Sequence, residues 1–370
     1  MSAAGELDFA RRSDLERWLQ RAENAIGLLE RVRPLNGASE RARLLEVWLA
    51  GRRIAPAFHY APAPQLFELR AALDAVAERV QCDGGWGRLY AERALELGLE
   101  ARAAEAVGTP GFAACAAQRF PEDSTAAGQL ADDWSAAWCR LEPEAASLAL
   151  HVSDDERDPN SLIARVHHAV GAYRLPFRVV ASAELATLAA TAEGVIFVRA
   201  RAHHSTAEAL RIAVHEIEGH ALPRVRAKSE ALGLFALGSA GGSDDQEGRA
   251  LWIEERSGSF DDRRRALLGR RHAAACALRR GASFVETVEL LLELGSELKS
   301  AIDLASRIHR GGGLGREIVY LPALARVRAA ADAEPWLMSW LERGRVSLAA
   351  ARTLAALGDP PHLISATRAA

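Results

Sequence analysis

A chain of 370 residues, 49% hydrophobic and 26% charged, carries enough apolar material for one large or two ordinary domains with real cores, which excludes a disordered or fibrous protein. Its net charge of −3 supplies no general drive toward nucleic acid or membrane, and no uncharged apolar run reaches the length of a membrane span. The cysteines Cys82, Cys115, Cys139 and Cys276 form no CxxC pair and residues 1–7 lack the regions of a signal peptide, so a soluble cytoplasmic protein is expected.

Residues 8–53 read as two helices. Leu15, Trp18, Leu19, Ala22, Ile26, Leu29 and Val32 recur at helical spacing, Arg33-Pro34-Leu35-Asn36-Gly37 breaks the pattern, and Ser39-Glu40-Arg41-Ala42 restarts it. Residues 58–64 form an extended, proline-rich crossing in which His59 reads as a packing residue. Residues 65–107 give two more helices split at Asp83-Gly84-Gly85. Short alanine-rich helices around Trp134 and Trp138 lead to the acidic turn at 154–159, the best boundary between a helical N-terminal region, 1–150, and a catalytic region, 151–370. Residues 161–172 form a helix whose neighbouring His167 and His168 point in different directions and so share no metal.

Two strands are clear, 177–181 and 195–199, both rich in β-branched and aromatic residues. Ser205-Thr206-Ala207-Glu208 then supplies a capping box that opens a helix, with His203 and His204 exposed ahead of it. That helix carries Ala213-Val214-His215-Glu216-Ile217-Glu218-Gly219-His220, two imidazoles and a carboxylate of the kind a water-activating zinc site uses. The usual HExxH spacing sets the histidines about 40° apart around a helix; five residues on a regular helix set them about 140° apart, too far round to share one ion. Two arrangements are open: an unrelated pair of histidines, or a π-type turn whose i→i+5 bonding returns them to one face. Gly219 loosens the backbone before His220, and Pro223 ends or bends the helix soon after.

Residues 233–242 are glycine-rich and read as a loop, and 246–256 as a helix. Residues 262–280 form a basic helix with Arg263, Arg264, Arg265, Arg270, Arg271, Arg279 and Arg280. No aromatic residues interleave with these arginines, so a solvated face is expected rather than a nucleic-acid surface. One or two helices at 284–309, a flexible loop at 311–313 and helices at 317–330 and 342–357 complete the chain, and no fixed-period repeat is visible.

HExxxH followed by Gln246-Glu247-Gly248-Arg249-Ala250 resembles the QEGLA-motif proteins, once labelled flavohaemoglobin expression-modulating, which include the microtubule-associated tyrosine carboxypeptidases. The resemblance spans about residues 30–356. It takes in Arg33-Pro34-Leu35-Asn36, Gly194-Val195-Ile196-Phe197-Val198, Arg307-Ile308-His309-Arg310-Gly311 and Arg316-Glu317-Ile318-Val319-Tyr320-Leu321. It implies that Glu247 is the third metal ligand beside His215 and His220, and that a C-terminal residue, aromatic in the family, is removed from a peptide or protein. Glu216 is then the general base, Tyr320 the candidate donor to the developing oxyanion, and Arg307, Arg310 and Arg316 the candidates to clamp a terminal carboxylate. The chain departs from the family at Glu218 and Gly219, where Gly and a small β-branched residue are expected, and at Arg249, where Leu is usual. Arg249 selects an acidic substrate if it lines the site and means nothing if it faces solvent.

The expected fold is α+β and predominantly helical, with a small sheet flanking the metal helix in a zincin-like core. The expected function is that of a zinc metallopeptidase of carboxypeptidase type. A non-catalytic metal-binding regulator and a zinc endopeptidase or amidase are the alternatives, and the sequence leaves the oligomeric state open.

Overall fold

The structure, a computed structural model, describes residues 12–82, 84–141, 150–185 and 187–358. Seven helices come first: α1 (Arg12–Ile26), α2 (Leu28–Arg31), α3 (Gly37–Leu49), α4 (Phe67–Val80), α5 (Gly84–Ala106), α6 (Phe112–Arg119) and α7 (Ala126–Trp138). The middle of the chain alternates: β1 (Leu150–Val152), α8 (Leu162–Ala172), β2 (Arg178–Ser182), β3 (Ala189–Ala192), β4 (Val195–Arg199) and β5 (His203–Ser205). Next comes α9 (Thr206–Val214), continued by a π-helical turn (His215–Ala221) and α10 (Leu222–Ala227). The remainder is helical: α11 (Leu234–Leu237), α12 (Gly242–Arg256), α13 (Asp262–Arg279), α14 (Phe284–Glu293), α15 (Leu298–Gly313), a 3-10 turn (Arg316–Val319), α16 (Tyr320–Ala333), α17 (Leu337–Leu341) and α18 (Leu348–Leu357). The described residues are predominantly helical with two small sheets. Among the described residues no helix is long and apolar enough to cross a membrane.

One sheet pairs β1 with β5 antiparallel; the other has the order β2-β4-β3, with β4 parallel to β2 and antiparallel to β3. Three strands were not expected from the sequence. β1 and β5 have only three residues each, and β3 reads Ala-Ala-Thr-Ala, a composition with weak strand preference that pairing with Val195–Val198 of β4 overrides. The apolar face of this sheet packs on the helix that carries His215 and His220: Ile196 and Val198 share a small core with Leu162, Val166, Ile212 and Ile217.

The largest core draws Leu19, Ile26, Leu73 and Leu97 together with Phe235, Leu251, Leu324 and Leu354, so the helical region expected before residue 150 buries its faces against helices that follow it. Residues 142–149, beside the expected boundary, lie outside those described. Charges also cross between these parts. Arg119 of α6 is buried against Glu96 at 3.1 Å, Glu100 at 2.9 Å and Asp244 of α12 at 3.2 Å, and Arg93 meets Glu23 of α1 at 2.9 Å.

Several local expectations change. His204 is buried rather than exposed, because its strand turns the ring inward, where Nε2 accepts from the Leu162 N–H at 3.1 Å. His59 is exposed rather than packed: its backbone N–H bonds the Asn36 side chain at 2.9 Å, which leaves the ring outside. The 233–242 stretch includes the helix α11, and Gly311 is packed under Phe112 and Val32, not free in a flexible loop.

Helix α12 passes so close to α16 that a Cβ at Gly248 would lie 2.4 Å from the Ala323 carbonyl carbon. Gly171 on α8 has open space around it. Urea denaturation is therefore expected to show Gly248→Ala destabilised by about 1–3 kcal/mol through overpacking, while Gly171→Ala gains about 0.5–1 kcal/mol from reduced chain entropy.

Candidate metal centre

The helix that carries the histidines is fixed at its start. Ser205 Oγ accepts from the Glu208 N–H at 3.2 Å, the first half of the expected capping box. Regular α-helix runs to Val214, and the backbone then widens: the Leu222 N–H donates to the Ile217 carbonyl, five residues back. Of the two arrangements left open by the spacing, the π-type turn is the one present. It turns His215 and His220 to one side, with ring centroids 4.9 Å apart. Pro223 follows at once in α10, and because it has no N–H the next five-residue bond of the widened turn, to the Glu218 carbonyl, is not made.

The two departures from the family pattern support this widened turn together. A Cβ at Gly219 would lie 2.5 Å from the Ala250 Cβ, so the glycine lets α12 press against the turn. Arg249 neither lines the centre nor faces solvent. It is buried, donates from Nη1 to the Glu218 carbonyl at 2.9 Å, and lies 3.7 Å from Glu342. A π-turn redirects carbonyls away from their usual partners, and this guanidinium satisfies one of them.

The facing donor atoms converge. His215 Nε2 and His220 Nε2 are 3.2 Å apart, and Glu247 Oε2 is 3.7 Å from each. A tetrahedral ion with bonds of about 2.0–2.1 Å spaces its donors roughly 3.3 Å apart, so this triangle fits a small divalent cation with little adjustment. Glu247's other oxygen accepts from Arg316 at 3.1 Å. Burial opposes its ionisation, but His215, His220 and Arg316 hold its carboxyl well below the usual range.

A second layer orients these donors. Glu254 Oε1 takes His215 Nδ1 at 2.7 Å, which aims Nε2 at the centre. Glu254 is fully buried and gripped by Arg264, Nε to Oε2 and Nη2 to Oε1, both at 2.7 Å; Arg211 stands 3.6 Å away. These cations outweigh burial and keep its carboxyl far below the ordinary value. Burial also opposes charge on His215, but Glu247 and Glu254 hold its ring up at about 9, whereas burial lowers His220 despite Glu247.

Glu216 faces the sheet. Thr191 Oγ1, on the edge strand β3, donates to its Oε2 at 2.7 Å and leaves the other carboxylate oxygen uncommitted by any side chain that the structure brings to it. Tyr320 lies within a buried arginine cluster: Arg307 donates to its hydroxyl oxygen at 3.3 Å, Arg271 covers its ring at 4.5 Å and Arg316 at 5.8 Å. Arg307 also pairs with the buried Glu317. Arg310 Nε and two nitrogens of Arg271 are buried without a hydrogen-bond partner, and burial draws both guanidinia down to about 10. The basic helix, read as a solvated face, therefore sends Arg264 and Arg271 inward because Glu254 and Tyr320, on other elements, receive them.

The sequence reading missed Thr191, Glu254, Arg264 and Arg271. Only Glu254 left a signal: it follows Glu247 by seven residues, two helical turns along the same face of α12.

Fold and site together define a helical α+β protein with a three-donor metal-type centre, the buried carboxylate of Glu216 next to His215 in the chain, and a cluster of buried arginines around Tyr320. The family model described as "Microtubule-associated tyrosine carboxypeptidase" matches residues 49–365, and the chain belongs to that family. Carboxypeptidase-like activity comes with the membership. No curated protein and no solved structure matches the chain.

Two outcomes follow for a Zn²⁺ probe in chelator competition. Glu254→Gln is expected to weaken binding about 10–100-fold, since the imidazole loses its charged orienting partner. Because a proton stays on His215 up to a pKa of about 9, it must leave before Nε2 can ligate. Affinity should therefore climb roughly tenfold per pH unit between pH 6 and 8; a flat profile would remove the assignment of that nitrogen as donor.

Proposed function

We propose that the chain is a zinc-dependent carboxypeptidase that removes one C-terminal residue, aromatic as in the family's description, from a peptide or protein. The observation that carries this reading is the closure of His215, His220 and Glu247 into one triangle, with Glu216 near enough to act electrostatically on both imidazoles. The chemistry of the set suits zinc: two neutral-capable imidazoles, one carboxylate and a carboxylate-backed histidine. Zinc held by these three residues would polarise the scissile carbonyl and make water acidic enough to attack near neutral pH.

The chain's own residues do the rest. Glu216 takes the proton of the attacking water on the oxygen that Thr191 leaves free, then returns it to the departing amine. Thr191 hydrogen-bonds Glu216 and so fixes it against β3. Tyr320 has its oxygen occupied by Arg307, so its own proton is free to donate toward a developing oxyanion. Arg310 and Arg271 have unpaired N–H groups in the buried wall, and a terminal carboxylate would satisfy them. The helix of His215 and His220, backed by a small sheet with β3 at its edge, makes this core zincin-like.

The test is a mass-spectrometric screen of zinc-loaded protein against peptides with free and amidated C-termini. Single-residue losses confined to free carboxylates are expected; equal cleavage of amidated peptides, or internal cuts, would make it an endopeptidase or amidase. Glu216→Gln should retain zinc and lose roughly 100-fold or more in kcat. Arg310→Gln should lower kcat/KM about 10–100-fold on free C-termini, the worth of one charged hydrogen bond, and leave metal content unchanged.

A further inference from the structure

Away from this centre, the described residues contain a second group of metal-capable donors: Asp132 of α7 with His272 and Cys276 of α13, one donor atom from each lying within 4.8 Å of the others. The placement follows from sequence and packing. His272 and Cys276 are four residues apart on α13 and so share one helical face. That face meets α7, and the helix pair is locked next to the donors. Ser135 Oγ donates to the Gly269 carbonyl at 2.9 Å, and a Cβ at Gly269 would lie 2.7 Å from the Cys139 backbone nitrogen. Trp134 and Trp138 stack at 5.2 Å on the same helix, and Trp138 meets Phe260 edge-on.

The distances suit an ion. His272 Nε2 is 3.0 Å from Asp132 Oδ1, and Cys276 Sγ is 4.0 Å from the same oxygen. Donors around a tetrahedral ion with bonds of about 2.0 Å to N or O and 2.3 Å to S are roughly 3.3–3.6 Å apart. These two contacts need shifts of only about half an ångström or less to reach that spacing. His272 is buried while the Asp132 side chain is 60% exposed, which leaves an approach from solvent. Glu122 adds negative potential that reaches both His272 and Cys276; two cations, Arg280 and Arg279, also act on Cys276, and Arg279 is committed to the carbonyls of Phe120 and Leu314 at 3.1 Å each.

We propose that Asp132, His272 and Cys276 form a second, sulfur-containing site for a zinc-class divalent cation, which clasps α7 to α13. Imidazole and thiol donors select such an ion over calcium or magnesium, which take oxygen ligands. Burial and Asp132 push the Cys276 thiol up to about 11, so the thiol is protonated without metal and ion uptake releases a proton. The clasp bears on the main centre without touching it, because α13 also carries Arg264 and Arg271.

The two sites are separable by their ligands, since the first holds only nitrogen and oxygen donors. The chain carrying His215→Ala and His220→Ala, stripped of metal and titrated with Co²⁺, should bind one equivalent and develop thiolate-to-metal charge-transfer absorption in the near ultraviolet. Cys276→Ser should abolish that band, and Asp132→Ala should weaken the binding about tenfold or more for loss of one ligand. The unmutated chain gives the same sulfur band, so the readout survives if the double variant fails to fold. Absence of the band at saturating Co²⁺, or its persistence in Cys276→Ser, overturns the proposal. A band without cation binding at His215, His220 and Glu247 would instead sink the zinc carboxypeptidase reading and leave this site standing.

Discussion

The structure depends on α12 being held at van der Waals limits from two sides. Ala250 meets Gly219 of the π-turn on one side, and Gly248 meets Ala323 of α16 on the other. A side chain at either glycine would move the helix outward by a fraction of an ångström or more, and Glu247 travels with it. Interiors packed at crystal density transmit such shifts instead of absorbing them. The glycine and alanine of the Gln-Glu-Gly-Arg-Ala segment thus serve one purpose, to set the depth at which the carboxylate just before them meets two imidazoles.

The first two turns of α12 distribute their acids over the rest of the molecule. Asp244 reaches Arg119 of α6; Asp245 takes Arg326 of α16 at 2.8 Å and the Leu348 N–H at 2.9 Å, capping the approach to α18; Glu247 turns to the centre and Arg316. Each buried charge is costly alone and tolerable only when paired, so removing one partner exposes the other to the full penalty. The same logic runs from Arg264 through Glu254 to His215. The orientation of His215 Nε2 thereby rests on an arginine of α13 that stands outside the triangle of His215, His220 and Glu247.

What was legible in the sequence follows this division. Helices with an uninterrupted apolar period, such as those at 12–26 and 67–80, could be read locally, as could Ser205 at its helix start, because their causes lie within a few residues. His215 and His220 could be recognised as a pair, but whether they share a face is decided by Arg249 and Ala250, some thirty residues on, and no spacing rule carries that. Thr191 sits in an alanine-rich strand with no pattern of its own. Arg264 and Arg271 were misread for the opposite reason: a run of arginines suggests water until the acceptors on other helices are known.

Pinning α12 on both faces also has a consequence for motion. A segment without slack cannot open by itself; its amides exchange with solvent only when the surrounding helices come apart with it, so its opening free energy approaches that of the whole fold. Any breathing that admits a peptide and releases its fragments must therefore arise elsewhere, in parts with fewer buried neighbours, such as the short strands and the edge at β3. The catalytic frame would stay still on the millisecond scale while its borders moved around it.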